Sequence, residues 1–177
     1  MKKVITVIIM AFLVASQAFA QDLDEKYATE LLPVGTKAPK FKLFSPEGKT
    51  YSSSHFYRKK YAVLVFWASW CPDCLKEAPA LVDLHRQYGP MDVEFVGISF
   101  DTDYKRWQAA IDKFGIQYAQ VSELKPWKQT TISKQYHIKW IPTIYVIDPE
   151  GKVALATVMV EKVKDYLQQN IKAGASE

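Results

Sequence analysis

Residues 61–67, with the sequence YAVLVFW, form a nearly continuous apolar run that constrains the fold of this chain more than any other feature. A half-exposed strand would alternate polar and apolar residues, whereas a run of this kind is typical of a strand covered on both faces. Residues 93–99, with the sequence VEFVGIS, predict a second buried strand. Because both faces of such a sheet must be covered by helices, the two runs favour a layered α/β domain.

Helices, shorter strands and turns are predicted around these two strands. Helices are expected at 72–88, 103–114, 131–136 and 161–171, and shorter strands at 41–44, 50–52, 118–121, 143–147 and 153–158. The tetrapeptide Pro-Glu-Gly-Lys occurs at 46–49 and at 149–152, and each copy predicts a hairpin turn with glycine in the left-handed conformation. Strands alternating with helices, with a hairpin towards either end, indicate a mixed α/β sandwich.

The first twenty residues have the three parts of a secretory signal peptide. Lys2 and Lys3 supply positive charge, residues 4–14 are apolar apart from one threonine, and residues 18–20 (AFA) have the small-x-small pattern of a cleavage site. The apolar run is shorter than the roughly 20 residues that span a bilayer. We therefore expect a cleaved signal peptide at 1–20, and Gln21, which is not a cysteine, argues against a lipid anchor on the mature protein.

The rest of the chain is long enough for one domain with a sizeable core. Residues 21–34 are polar and acidic, which predicts a flexible lead-in ahead of a domain at 35–173. Loss of the two leader lysines lowers the formal net charge from +4 to +2. That mild charge, without a Lys/Arg block on one predicted face, gives no case for nucleic-acid binding, and we predict no nucleic-acid partner.

Cys71 and Cys74 are the only two cysteines. A disulfide between them closes a very short loop and stabilises little, because the stabilisation grows with loop length. Cys71 falls where a buried strand meets a helix, and the unpaired N–H groups at a helix start favour a thiolate. Pro72 suits the first helical position, and Cys74 lies on the same helix face as Cys71. The spacing predicts a reversible disulfide with an exposed attacking sulfur.

Metal binding is the alternative explanation of the cysteine pair. Zinc usually takes four protein ligands, and the sequence has no second cysteine pair. His55, His85 and His137 are scattered singly, without a partner at helical spacing. We predict neither a metal ion nor another cofactor, while a copper or zinc metallochaperone on the same fold stays open as an alternative function.

Four motifs occur in a fixed order along the chain. They are FWASWCPDC at 66–74, CLKEAP at 74–79, WIPT at 140–143 and IDPEGK at 147–152. The first resembles the thioredoxin active-site segment, and the second resembles the Cys-x-x-Glu-x-Pro extension of TlpA/ResA-like thiol–disulfide oxidoreductases. The third and fourth resemble that family's cis-proline loop and its following hairpin. The resemblance implies a thioredoxin-like three-layer sandwich with a mixed central sheet, an N-terminal hairpin and a central αβ insertion.

The resemblance also implies roles for individual residues. Thioredoxins place a buried aspartate on the strand before the cysteines, where this chain has Val65, so Glu77 looks like the substitute base. Glu77 borders the apolar stripe of its helix, one turn after Cys74, and could take a proton from that thiol. Sequence alone predicts a trans bond before Pro142, but the resemblance implies a cis bond.

A cis bond at this position would place the backbone of Ile141 beside the sulfurs. There it could pair with an extended substrate segment as an added strand. Trp70 and Pro72 adjoin the cysteines and complete the predicted substrate-binding set with Ile141 and Pro142.

The sequence thus predicts a periplasmic enzyme that reduces disulfides in exported proteins. Asp73 lies between the cysteines, and its negative charge opposes a thiolate at Cys71, which favours a reductase. The resemblance implies a membrane thiol transporter as electron donor and clients such as apocytochrome c. A disulfide oxidase or isomerase is the alternative within this chemistry. A peroxiredoxin is disfavoured because the segment before Cys71 lacks the Pro-x-x-x-Thr/Ser-x-x-Cys pattern.

Overall fold

The computed structural model describes residues 22–171. The predicted signal peptide at 1–20 and the last two residues of the predicted domain, 172–173, lie outside the described residues. Within 22–171, none of the helices combines the length and the apolar character needed to cross a membrane.

The described chain forms one sheet with surrounding helices. The helices are α1 (Leu23–Tyr27), α2 (Ser53–Tyr57), α3 (Pro72–Tyr88), α4 (Tyr104–Phe114), α5 (Thr131–Gln135) and α6 (Val160–Asn170). The strands are β1 (Lys42–Phe44), β2 (Thr50–Ser52), β3 (Tyr61–Trp67), β4 (Val93–Ser99), β5 (Ala119–Ser122), β6 (Thr143–Ile147) and β7 (Val153–Thr157). Short 3₁₀ turns lie at Gly89–Met91 and Trp127–Gln129. Every predicted element is present within one residue of its expected ends, whereas α1, α2 and the 3₁₀ turns were not predicted.

The seven strands form a mixed sheet in the order β2-β1-β5-β4-β3-β6-β7. Strands β3, β4 and β5 are parallel, and the other neighbours are antiparallel. Side chains of β3 after Tyr61 and all side chains of β6 are buried, so both faces of the sheet centre are covered. The N-terminal hairpin β1–β2 joins the sheet through Phe44 and Ser122 of β5. The predicted three-layer sandwich, with its hairpin and its inserted αβ unit α4–β5, is confirmed.

Both Pro-Glu-Gly-Lys segments form the predicted hairpin turns. Gly48 and Gly151 have φ values of +76° and +79°, in the left-handed region that favours glycine. In the first turn the N–H of Gly48 donates to the carbonyl of Ser45 at 2.9 Å, and in the second the N–H of Gly151 donates to Asp148 at 2.9 Å.

Asp22 and Asp24, in the segment predicted to be a flexible lead-in at 21–34, bind residues at the far end of the domain, and Gln21 lies outside the described residues. The carboxylate of Asp24 accepts hydrogen bonds from the Thr157 hydroxyl at 2.8 Å and from the N–H of Val158 at 2.8 Å. The ammonium of Lys162 donates to Asp22 at 2.8 Å and to Asp24 at 2.7 Å, and its hydrogen bond to Asp22 lowers the pKa of that carboxyl. The sequence predicted a flexible segment because the residues that hold it lie more than 130 positions later in the chain, where a local pattern cannot reveal them.

Further contacts continue this attachment towards the centre of the molecule. The ring of Tyr27 stacks on the ring of Trp140 with centroids 3.9 Å apart. The N–H of Leu32 donates to the phenol oxygen of Tyr145 at 3.0 Å. Residues 22–32 therefore belong structurally to the folded unit.

Candidate active site

Cys71 and Cys74 form a disulfide at the start of α3, the helix that follows the buried strand β3. Cys71 is the N-cap residue, and its Sγ accepts a hydrogen bond from the N–H of Cys74 at 3.1 Å. Pro72 occupies the first helical position, where its missing N–H leaves no helical hydrogen bond unmade. The sequence predicted this arrangement, which points the free N–H groups of the helix start towards Cys71.

The loop that leads into β6, the strand next to β3, covers the disulfide. The Ile141–Pro142 peptide bond is cis, in agreement with the resemblance and against the general preference for trans. The carbonyl oxygen of Ile141 lies 3.5 Å from Sγ of Cys71. Thr143 fixes the loop by donating its hydroxyl to the carbonyl of Trp140 at 2.7 Å. Ile141 and Pro142 are therefore brought to the cysteines, as the sequence predicted.

The expectation of an exposed attacking sulfur is wrong for the disulfide form. Cys71 is 5% exposed and Cys74 is 3% exposed, so both residues lie below the surface. The cause is the cis-proline loop, because Ile141 covers Cys71 and Pro142 lines the space beside Cys74. In the disulfide form, little of the Cys71 residue is open to solvent.

Aromatic side chains lie next to the segment that carries the disulfide. Trp70 is 51% exposed, and its ring centroid lies 6.3 Å from that of Trp127, which stacks in turn on Phe100 at 5.5 Å. Pro72 is also exposed, so both residues can contact a substrate. Trp140 is half-buried beneath Tyr27. Trp67, by contrast, is buried in the core.

The space behind Cys74 is small and apolar. A cavity of about 10 Å³ is lined by Val65, Trp67, Cys74, Ala78, Leu81, Ile116, Tyr118 and Pro142. Apart from Cys74 itself, Tyr118 is the only residue in this lining with a titratable side chain. Burial raises the pKa of its phenol, so the ring stays neutral. Because the lining contains no carboxylate, a base for Cys74 must come from outside this cavity.

Glu77 is the predicted base, and it lies one helical turn after Cys74 on α3. Its side chain is half-buried, which agrees with its expected place at the border of the apolar stripe. Asp73, in the first turn of the same helix, is exposed. The structure thus places Glu77 within one turn of Cys74 and Asp73 at the solvent side of the pair.

Asp101 is a residue at this site that the sequence reasoning missed. It is 1% exposed, and its carboxylate accepts hydrogen bonds from the N–H of Ser69 at 2.9 Å, the hydroxyl of Ser69 at 2.5 Å and the hydroxyl of Ser99 at 2.7 Å. None of the ion pairs within 22–171 includes Asp101. The cluster anchors the turn that carries Trp70 and Cys71.

A signal for this cluster was present in the sequence. Ser69 and Asp101 each follow a predicted buried strand by two residues, and Trp67 pairs with Ser99 in the parallel register of β3 and β4. Carboxyl ends of neighbouring parallel strands meet at one edge of a sheet, so their following polar residues lie close together.

The three histidines lie apart, on α2 (His55), on α3 (His85) and in the loop after α5 (His137). Within the described residues, no group of three or more His, Cys, Asp and Glu side chains is arranged to hold a metal ion.

Comparisons with known proteins agree with the geometry. The AhpC/TSA family matches residues 34–156. Thiol-disulfide oxidoreductase ResA of Bacillus thuringiensis subsp. konkukian (strain 97-27) is 32% identical over 169 residues, covering 94% of this chain and 92% of the relative. ResA of Bacillus cereus (strain ATCC 10987 / NRS 248) is 30% identical, covering 93% and 92%.

A solved structure gives the same result. The thiol-disulfide oxidoreductase from Bacteroides fragilis NCTC 9343 is 30% identical, with a TM-score of 0.71, covering 76% of this chain and 98% of that chain. The chain thus has a disulfide at a helix start beside a cis-proline loop, and its relatives are named thiol–disulfide oxidoreductases. The chain belongs to the AhpC/TSA family and is a thioredoxin-fold thiol–disulfide oxidoreductase.

Proposed function

We propose that the mature protein reduces disulfides of exported proteins in the periplasm, with Cys71 as the attacking residue. The observation that carries this proposal is the place of Cys71, at the N-cap of α3 and 3.5 Å from the Ile141 carbonyl. When the pair is reduced, the free N–H groups at the helix start stabilise a thiolate at Cys71, and the thiolate is the species that attacks disulfides.

The first step forms a mixed disulfide. The Cys71 thiolate attacks one sulfur of the client disulfide, a new S–S bond joins Cys71 to the client, and the other client sulfur leaves as a thiolate. The exposed Trp70 and Pro72 contact the client, and the backbone of Ile141 pairs with an extended client segment. This pairing holds the client disulfide over the buried Cys71 sulfur.

The second step releases the client. Cys74 loses its proton with the help of Glu77, and its thiolate attacks Sγ of Cys71. The Cys71–Cys74 disulfide forms, and the second client sulfur leaves as a thiolate. The client has gained two electrons and the protein has lost two, so a thiol donor must reduce the pair again. A membrane thiol transporter is the donor implied by the resemblance to the TlpA/ResA-like proteins.

Asp73 supports the reductive direction. It is exposed in the first turn of α3, where its negative charge opposes the neighbouring Cys71 thiolate. A less stabilised thiolate makes the reduced form less favoured and the protein a better reductant. The leader-like residues 1–20 support export, and apocytochrome c belongs to the expected class of clients.

A redox titration tests the direction. Equilibration of the purified protein with glutathione should give a potential nearer the roughly −270 mV of thioredoxin than the roughly −120 mV of a strong oxidant. A potential above the glutathione range would overturn the reductase and select an oxidase or isomerase. Stoichiometric copper or zinc binding without turnover of a disulfide would select the metallochaperone.

A trapping experiment tests the location and the clients. A Cys74→Ser variant, expressed with its own leader, cannot complete the second step and should accumulate covalent complexes with exported proteins. Cell fractionation should find these complexes in the periplasm, on a chain that begins at Gln21. Complexes confined to cytoplasmic proteins, or a chain that keeps residues 1–20, would contradict the proposal.

A further inference from the structure

A groove with a volume of about 860 Å³ lies beside the active site. We call it the basic groove. Three lysines and two tryptophans of its lining carry the argument below, and the lining also contains one acidic residue; the full set is Glu30, Trp127, Lys128, Ser133, Lys134, His137, Ile138, Lys139 and Trp140. It runs between the 3₁₀ turn at Trp127–Gln129, helix α5 and the segment that leads into the cis-proline loop.

The groove adjoins the disulfide through two of its aromatic lining residues. The ring of Trp127 lies 6.3 Å from the ring of Trp70, the exposed residue before Cys71. Trp140 precedes Ile141, whose carbonyl lies 3.5 Å from Sγ of Cys71. A polypeptide segment whose disulfide reaches Cys71 therefore has the basic groove as an adjoining surface.

Positive charge dominates the rim of the groove. Lys128, Lys134 and Lys139 are exposed. Lys139 lies 3.6 Å from Glu30, whereas Lys128 and Lys134 take part in none of the ion pairs found within residues 22–171. Two lysine charges on the rim are thus left without a carboxylate partner in the described chain, which favours an occupant that carries negative charge.

Two aromatic side chains of the lining pack against other rings. Trp127 stacks on Phe100, and Trp140 stacks on Tyr27, so both indole rings are held in place before any partner binds. Fixed aromatic surfaces of this kind bind apolar side chains with little further loss of side-chain freedom. The volume falls within the range of about 300–1,000 Å³ that is typical of sites for small ligands, so the groove holds a few side chains rather than a folded domain.

We infer that the basic groove binds an acidic segment of the client protein, with at least one apolar side chain on the tryptophans, next to the client's disulfide. This inference rests on the proposed function and names its substrate class. Carboxylates of the client pair with Lys128 and Lys134, and the segment continues towards the Ile141 backbone. Clients with lysine-rich flanks are disfavoured by charge repulsion at the same rim.

Two disulfide-bonded peptides test the inference. They share the same cysteines and one phenylalanine, and differ only in carrying either three glutamates or three lysines at the flanking positions. The pre-reduced full-length mature protein is mixed with each peptide, and the second-order rate constant of disulfide reduction is measured. We expect the glutamate peptide to react roughly tenfold faster at low ionic strength, and the difference to shrink in about 1 M salt, where the screening length is only about 3 Å.

Charge-reversal variants assign the preference to the groove. The double variant Lys128→Glu with Lys134→Glu should lose the preference for the glutamate peptide and react faster with the lysine peptide. The double variant Lys49→Glu with Lys164→Glu is the matched control, because both are exposed lysines outside the groove and the change in net charge is the same, and it should keep the wild-type preference. Equal effects of the control and of the double variant in the groove would overturn the inference.

A small neutral disulfide, 2-hydroxyethyl disulfide, distinguishes failure of the groove inference from failure of the proposed reductase function. Normal reduction of this compound, together with equal rate constants for both peptides, would overturn the groove inference and leave the proposed reductase intact. Failure to reduce this compound would overturn the proposed function and the groove inference together. A change of oligomeric state in the double variant of the groove lysines, with unchanged peptide rates, would assign the groove to self-association and overturn the client inference.

Discussion

The two sulfurs of the disulfide are held by regions of opposite chemical character. On the side of Cys71, the carboxylate of Asp101 gathers Ser69 and Ser99 into a buried polar cluster. On the side of Cys74, the surroundings are apolar and include Val65 and Leu81. Directional hydrogen bonds therefore fix the turn before the first sulfur, whereas packing fixes the second.

This difference fits the order of the proposed chemistry. Cys71 must form a thiolate first, and three hydrogen bonds to one carboxylate hold its turn against the helix start. Cys74 must stay protonated until the mixed disulfide exists, and apolar surroundings disfavour a charged thiolate there. The polar region thus positions the attacking residue, while the apolar region delays the resolving one.

The largest expected effect separates the two cysteines themselves. Cys71→Ala should abolish disulfide reduction, because no thiolate remains at the helix start. Cys74→Ser should still form mixed disulfides and fail only to resolve them. Mass spectrometry of each variant after mixing with a peptide disulfide measures both outcomes. A Cys71→Ala protein with full activity, or a Cys74→Ser protein without any covalent adduct, would erase the proposed division of roles.

Removal of the Asp101 carboxylate should cost the most stability on the polar side. Asp101→Ala leaves the buried donors of Ser69 and Ser99 without their acceptor, and we expect a loss of about 3 kcal/mol in the free energy of unfolding. Ser99→Ala leaves the charge in place but removes one donor to the carboxylate and the acceptor of the Asp101 N–H, and it should cost about 1–2 kcal/mol. Urea titration of the oxidised proteins measures both values. Equal losses for the two variants would show that the carboxylate does not organise the cluster.

Most of the fold could be predicted because its signals are local. Buried strands such as β3 and β4 appear as continuous apolar runs, and the turns at Gly48 and Gly151 follow from the left-handed preference of glycine. Helix α3 is delimited by Pro72 at its start and by the Gly89-Pro90 pair after its end. Each of these features depends on a few neighbouring residues.

The features that could not be predicted depend on distant partners. Helix α1 is held by Asp24, whose partners at 157 and 158 follow it by more than 130 residues. The burial of Cys71 depends on Ile141, 70 residues later in the chain. Asp101 lies between these cases, because strand order alone would have placed it near Ser69. Tertiary contacts of this kind leave no periodic pattern in the sequence.

Substitution of Glu77 tests whether Cys74 needs a base from outside the apolar cavity behind it. Glu77→Gln keeps the size of the side chain and removes its charge, so resolution of the mixed disulfide should slow roughly tenfold near neutral pH. Asp83→Asn, an exposed substitution further along α3, is the matched control and should leave the rate unchanged. Single-turnover measurement between pH 6 and 8 gives the rates. An identical pH–rate profile for Glu77→Gln and wild type would remove Glu77 from the mechanism.

The smallest expected effect comes from His85, and it tests how far the apolar surroundings of Cys74 extend. His85 on α3 packs against Phe95 and Tyr118 with ring centroids 5.5 Å and 5.4 Å away, and Tyr118 also lines the space behind Cys74. Burial lowers the pKa of His85 below its ordinary value, and the charge of Glu94 offsets only part of this. The unfolded chain therefore binds the proton more readily than the folded one.

The stabilisation from neutral His85 is complete above the unfolded-state pKa of about 6.5 and is lost as the pH falls through the lower folded-state pKa. Wild type should thus lose slightly more stability than His85→Gln when the pH is lowered from about 7.5 to about 5. Urea titrations at each pH measure the difference between the two proteins. If the free energies of unfolding of wild type and His85→Gln changed equally with pH, the apolar surroundings of Cys74 would end before His85. The imidazole ring would then have enough contact with water to carry a charge without loss of stability.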